Sequence, residues 1–128
     1  MGNAYKPDGY TTVSPYLMVD GAAGTIEFLK RVLDAVEIRR FPGPNDKIMH
    51  AEVRIGDSVV MVADRPEDRA PIPAHVHVYV PDVDSAYQIA LGAGATSVQE
   101  PTKREDPDRR AGVMDAGGTT WWIATKVD

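Results

Sequence analysis

The sequence predicts an α+β fold: two βαβββ modules forming an open, mostly antiparallel, barrel-like sheet around a cleft, with the helices on its convex side. Three observations carry this reading. A short strand leads into a helix-period segment twice, and each time further strands follow. The two halves match at an offset of about 61 residues, so that 51-AEVRIGDSVVMVA-63 answers 111-AGVMDAGGTTWWIA-124 with one extra residue in the second turn. The length, 128 residues, suits one domain with a working core. The first module is expected over about 11–64, a linker over 65–74, and the second module over about 75–126.

The elements follow in order. TTVSPYLMVD, residues 11–20, reads as a strand, and Asp20 as the N-cap of a helix running to about Ala35. Its apolar residues Ile26, Phe28, Leu29, Val32 and Leu33 keep helical spacing. VEIRRF is the next strand and 43-GPND-46 a turn. IMHAEVRI and SVVMVA form a hairpin through Gly56-Asp57. The prolines of DRPEDRAPIPA mark a loop between modules. HVHVYV opens the second module, Asp82 or Asp84 caps its helix, and strands follow near Thr96–Gln99, Ala111–Asp115 and 119–125. The charged run 103-KREDPDRR-110 reads as solvated surface up to residue 109, with Arg110 on a strand by the repeat.

Alternation along these strands sorts the side chains by face. His75, His77 and Tyr79 share one side, and Tyr16 and Met18 share another with Ser14. Met49, Ala51, Val53 and Ile55 form an apolar row expected to pack under the helices. That leaves His50, Glu52 and Arg54 for the cleft. Trp121 and Trp122 face opposite ways, the first into the core and the second into the cleft. The candidate ligand-binding residues are therefore Tyr16, Met61, His75, His77, Tyr79, Arg110 and Trp122, an aromatic and Met-lined set with a few polar groups. His50 and Glu52, two apart, are the candidate acid–base pair, and equally a plain polar network.

Composition narrows the classes. Net charge is −5, from 14 Lys and Arg against 19 Asp and Glu, which argues against a nucleic-acid partner. With no cysteine, thiolate chemistry, disulfides and Cys-bound metals are excluded. No stretch resembles a signal peptide or a membrane span, so a cytoplasmic protein without a membrane partner is expected.

Four segments, 16-YLMVDGAAGTIEFLKRVLDA-35, 48-IMHAEVRIGDSVVMVAD-64, 77-HVYVPDVDSAYQIALGAGA-95 and 111-AGVMDAGGTTWWIAT-125, cover more than half the chain in order. They resemble the vicinal oxygen chelate superfamily of glyoxalases, bleomycin resistance proteins and dioxygenases, and look closest to its PhnB-like, glyoxalase-like branch. The resemblance implies a homodimer. In metal-dependent members it also implies one divalent ion held by four residues, which fall here on Ser14, Met61, His75 and Trp122. Only His75 is an ordinary ligand for such an ion, so no metal or other cofactor is expected at that site. The leading expectation is a metal-independent binder of a small planar molecule, of the antibiotic-sequestering kind. A glyoxalase-like lyase with a divalent metal at a non-standard site around His75 and His77, joined by His50 or Glu52, stays open. So does a dimeric regulatory protein with a vestigial cleft.

Overall fold

A computed structural model describes residues 5–128. The first module comprises β1 (Tyr16–Val19), α1 (Ala22–Leu33), β2 (Val36–Pro42), β3 (Ile48–Ile55) and β4 (Ser58–Asp64). The second repeats the order with β5 (Ala74–Tyr79), α2 (Val83–Gly92), β6 (Thr96–Lys103), β7 (Asp108–Met114) and β8 (Thr119–Lys126). Each module is a four-stranded open sheet, ordered β1-β4-β3-β2 and β5-β8-β7-β6. In each, the first strand runs parallel to the last and the other pairs are antiparallel. This is the duplicated α+β architecture that the repeat predicts.

One face of each sheet carries its helix, and the two helices pack on each other. Leu17, Ile26, Leu29, Val53 and Val62 of the first module join Ala90, Val113, Trp121 and Ile123 of the second in one continuous core. Burying such side chains stabilises the fold by about 1.5–3 kcal/mol each. The opposite face of each sheet carries no helix and is called the open face below. Among the described residues no helix is long and apolar enough to cross a membrane.

Three local expectations are corrected. The first strand begins at Tyr16 rather than at residue 11. Pro15 has no N–H to give a ladder, so the chain before it leaves the sheet and crosses the open face as a strap. The strap is tied down by Thr11, whose Oγ1 accepts from the Val59 N–H at 3.4 Å, and by Gly9, whose carbonyl accepts from Arg54 Nη2 at 3.3 Å.

Asp20 does not cap α1. Gly21 occupies the N-cap with φ 79°, a left-handed conformation that glycine adopts without strain, and it has no capping side chain. The carboxylate comes instead from Asp64 at the end of β4. Its Oδ1 accepts from the Gly21 and Ala22 N–H groups at 3.1 and 3.0 Å, and its Oδ2 from Ile48 N–H at 2.7 Å. Burial pushes this carboxyl up, but the backbone donors outweigh burial and hold it below its ordinary value. Asp64→Ala is expected to cost about 2 kcal/mol, because it removes a helix cap and a β3 anchor together. A thermal melt would show it, and an unchanged Tm would contradict the assignment.

Met49 is 62% exposed instead of lying under the helices. The register passes from Phe41↔His50 to Pro42↔Ile48, so Met49 is the extra residue of a β-bulge and Ile48 takes the buried place. The charged run is likewise no mere surface loop: Lys103 ends β6, Asp108 begins β7, and Asp108 is 5% exposed.

Candidate functional site

Each module offers one open face. On the second, parallel pairing sets His75 beside Thr120, His77 beside Trp122, and Tyr79 beside Ala124. The next strand adds Gly112 beside Trp122 and Arg110 beside Ala124. Trp122 lies flat across Gly112: a Cβ built there would meet the indole Cζ3 at 2.6 Å, closer than any real side chain stands. Its Nε1–H donates to His75 Nδ1 at 3.1 Å, and the two rings are parallel within 10° with centroids 6.2 Å apart. The indole is thus pinned as a platform with one face toward the strand and the other toward solvent.

Polar groups border this platform. Arg110 Nε donates to His77 Nε2 at 3.2 Å, while its two Nη atoms bind Asp106 at 2.9 Å and Asp108 at 3.1 Å. Partial burial, and then the Arg110 charge, hold His77 below its ordinary 6.5, so the ring is neutral and accepts at Nε2. Tyr79 donates to Asp108 Oδ2 at 2.7 Å, which pushes the phenol up, and its ring stands edge-on to His77 at 4.9 Å.

On the first open face, pairing sets Tyr16 beside Met61, Met61 beside Glu52, and Glu52 beside Arg39. Glu52 is 5% exposed because the strap lays Tyr10 over it. Its Oε1 accepts from the Tyr10 hydroxyl and from Arg39 Nε at 2.8 Å, and its Oε2 faces His50 Nε2 at 2.9 Å. Burial raises this carboxyl, but the hydrogen bonds from Tyr10, His50 and Arg39 more than offset that and lower it to about 2. His50 Nδ1 lies 3.1 Å from the Tyr16 hydroxyl, with the Tyr16 ring edge-on to the imidazole at 5.4 Å and the Phe41 ring tilted against it at 6.2 Å.

Of the residues expected from sequence, His75, His77, Tyr79, Arg110 and Trp122 gather on one face, and Tyr16, Met61, His50 and Glu52 on the other. Among the described residues no hydrogen bond or ring contact joins the two faces. Ser14 stands before β1 with its hydroxyl 3.3 Å from that of Thr11. The four positions do not fit a divalent ion: Ser14 is spent on the strap, Met61 is a soft thioether, Trp122 has no donor lone pair, and its N–H covers the His75 nitrogen. His77 offers no replacement, since Arg110 covers its Nε2. Among the described residues, no three His, Asp or Glu side chains group as a metal site.

Sequence reasoning missed Tyr10, Arg39 and Asp108. Alternation along VEIRRF, which sets Arg39 with Phe41, could have found Arg39. Asp108 hides in a run of charges, and nothing local marks Tyr10.

Two cavities lie between the modules. One of about 830 Å³ runs between the helix-bearing faces, walled by Val32, Leu33, Ile55, Val76, Val78 and Trp121. A second, of about 240 Å³, follows β1 beneath the linker and is lined by Tyr16, Met18, Arg65, Arg69 and Ile72 among others.

Comparison with known proteins adds the following. The family model of the Glyoxalase/Bleomycin resistance protein/Dioxygenase superfamily matches residues 9–123. The uncharacterised protein Rv0887c of Mycobacterium tuberculosis is 35% identical over an alignment of 145 residues that covers 99% of this chain and 85% of that one. Among solved structures, TioX from Micromonospora sp. ML1 superposes with a TM-score of 0.70 at 24% identity, over 90% of this chain and 99% of that one. The fosfomycin resistance protein FosX from Listeria monocytogenes, complexed with Mn(II) and sulfate, gives a TM-score of 0.71 at 13% identity, over 91% and 90%. At these identities the structural likenesses show a shared fold and nothing finer.

Proposed function

The chain belongs to the glyoxalase/bleomycin resistance protein/dioxygenase superfamily, and from that premise we propose that it is a metal-independent small-molecule-binding protein of the sequestering kind, in the PhnB-like branch. The observation that carries this reading is the Trp122 platform, held flat on Gly112 and pinned by His75. A fixed aromatic face bordered by a few polar groups suits a planar ligand, and a ring already immobilised loses little entropy on stacking. The family's ligand positions carry the wrong donors for a hard cation, which supports binding without one.

Trp122 is also the reporter. It is half-buried on the open face, whereas Trp121 is 1% exposed and serves as an internal reference. Proflavine, a planar cation suited to a chain of charge −5, is expected to quench Trp122 on titration. Trp122→Ala is expected to weaken its binding about tenfold, or ~1.4 kcal/mol. Equal affinity in both proteins, measured by calorimetry, would remove the platform from the reading.

A homodimer completes this proposal. β1 and β5 each pair on one side only, and β5 also lines the larger cavity. A second copy would cover those edges and that apolar wall. Native mass spectrometry is expected to give twice the chain mass, and a monomer at micromolar concentration would refute the pairing. A cytoplasmic setting fits the cysteine-free composition.

A further inference from the structure

The flat surface around Trp122 is larger than one side chain. The bond from its Nε1–H to His75 Nδ1 is 3.1 Å long, and the two rings are parallel within 10°. Stacked rings stand about 3.5 Å or more apart, so an imidazole lying over the indole could not bring the two nitrogens so close. It lies beside the indole instead, and an N–H bond between parallel rings makes the two nearly coplanar. At its other end the indole runs over β7, where its Cζ3 and Cε3 would crowd a Cβ at Gly112. Imidazole and indole thus make one flat floor of three rings, crossing the sheet from β5 over β8 to β7. Gly112 lets that floor lie down, since any side chain there would lift the indole out of the imidazole plane.

His75 is exposed and Trp122 half-buried, on a sheet face that no helix covers. The border of the floor sets the charge a ligand can carry. Arg110 holds two carboxylates, Asp106 at 2.9 Å and Asp108 at 3.1 Å. His77, which accepts from the same arginine, is neutral. One negative charge is therefore left over beside the floor. It repels an anion and does not oppose an uncharged or cationic molecule.

We propose, resting on the Trp122 platform, that His75 and Trp122 together select fused three-ring aromatic molecules of zero or positive charge, with His75 setting the preference for ring number. A two-ring ligand covers the indole and leaves the imidazole bare. A third fused ring lies over the imidazole and takes further apolar surface of both partners out of water. His75 therefore has two separable roles. Its Nδ1 lone pair holds the indole in place, and its ring carries part of the ligand.

Acridone and 4-quinolone are the probes, an uncharged pair that differs by one fused benzene ring. Wild-type protein titrated into each, with probe fluorescence as the signal, is expected to bind acridone about tenfold tighter. His75→Asn keeps an acceptor for the indole N–H but has no ring. It is expected to cut that preference to about twofold, while the Trp122 indole N–H proton resonance stays downfield as in the wild type. 9-Anthracenecarboxylate, three fused rings with a negative charge, is expected to bind about tenfold more weakly than acridone, and added salt to narrow that gap. Equal affinity of the wild type for acridone and 4-quinolone overturns the three-ring floor. So does an undiminished preference in His75→Asn, and 9-anthracenecarboxylate binding as tightly as acridone overturns the charge selection. Proflavine keeps the two readings apart. If those results fail while Trp122→Ala still weakens proflavine, the platform stands without the larger floor; if Trp122→Ala leaves proflavine binding intact, both fall.

Discussion

Trp121→Ala is expected to lower stability by about 4 kcal/mol, whereas Trp122→Ala, one position on, is expected to cost under about 1 kcal/mol. The two rings leave the same strand on opposite faces. Trp121 is among the largest fully buried side chains and belongs to the core that both modules share. Its Nε1–H donates to Asp115 Oδ2 at 2.9 Å, and the other oxygen of that buried carboxylate accepts from Gly117 and Thr119 N–H at 3.0 Å each. Removing the indole opens a large cavity and strips a donor from a buried acid, so two penalties add. Trp122 is half-buried, contacts the open face, and leaves no orphan when cut. Urea unfolding followed by circular dichroism measures both. Similar midpoints would mean that the β8 faces are assigned the wrong way round.

The second large effect is expected at acid pH. Glu52 has its carboxyl lowered from 4.5 to about 2 in the folded protein. A carboxylate with a depressed folded pKa contributes stability that is fully present above the unfolded value, and that contribution is lost as pH falls through the folded one. The window is therefore pH 4.5 down to about 2, and the loss is on the order of 2 kcal/mol. Asp64, Asp84, Asp106 and Glu37 are lowered too, so the wild type will soften in acid for several reasons. Comparison with Glu52→Gln isolates one of them. That variant is expected to be about 3 kcal/mol less stable at neutral pH, since Arg39 would face an uncharged amide. The gap between the two proteins should then shrink as the pH falls. A constant gap from neutral pH to pH 3 would refute the assignment.

Most of the architecture is legible in the letters, and the reason is local. Helical spacing from Ile26 to Leu33 and the Gly56-Asp57 hairpin each need only their own neighbours to be read. The repeat supplied the rest, placing Arg110 and Gly112 on the cleft face of their strand. Alternation put His75, His77 and Tyr79 on one face and separated Trp121 from Trp122, as the pairing of β5, β7 and β8 requires.

What failed was long-range in sequence. Asp64 caps a helix more than forty residues earlier, and Tyr10 bonds a glutamate 42 residues later. A capping aspartate is expected next to its helix, so Asp20 looked right until Gly21 took the turn. Met49 went astray because a bulge inserts one residue and reverses the alternation before it. Asp108 looked solvated because its neighbours are charged, yet Tyr79 and Arg110 bury it.

By itself, then, the sequence determined the two modules, the order of their elements and the face that most strand residues take. Periodicity and duplication are carried by neighbouring residues and by the repeat. Only the tertiary structure decided that the strap lies over Glu52, that Arg39 and Asp108 enter the polar networks, and that Trp122 rests flat on Gly112. Those outcomes depend on which surface a loop crosses and how closely two backbones approach, and no local pattern encodes either.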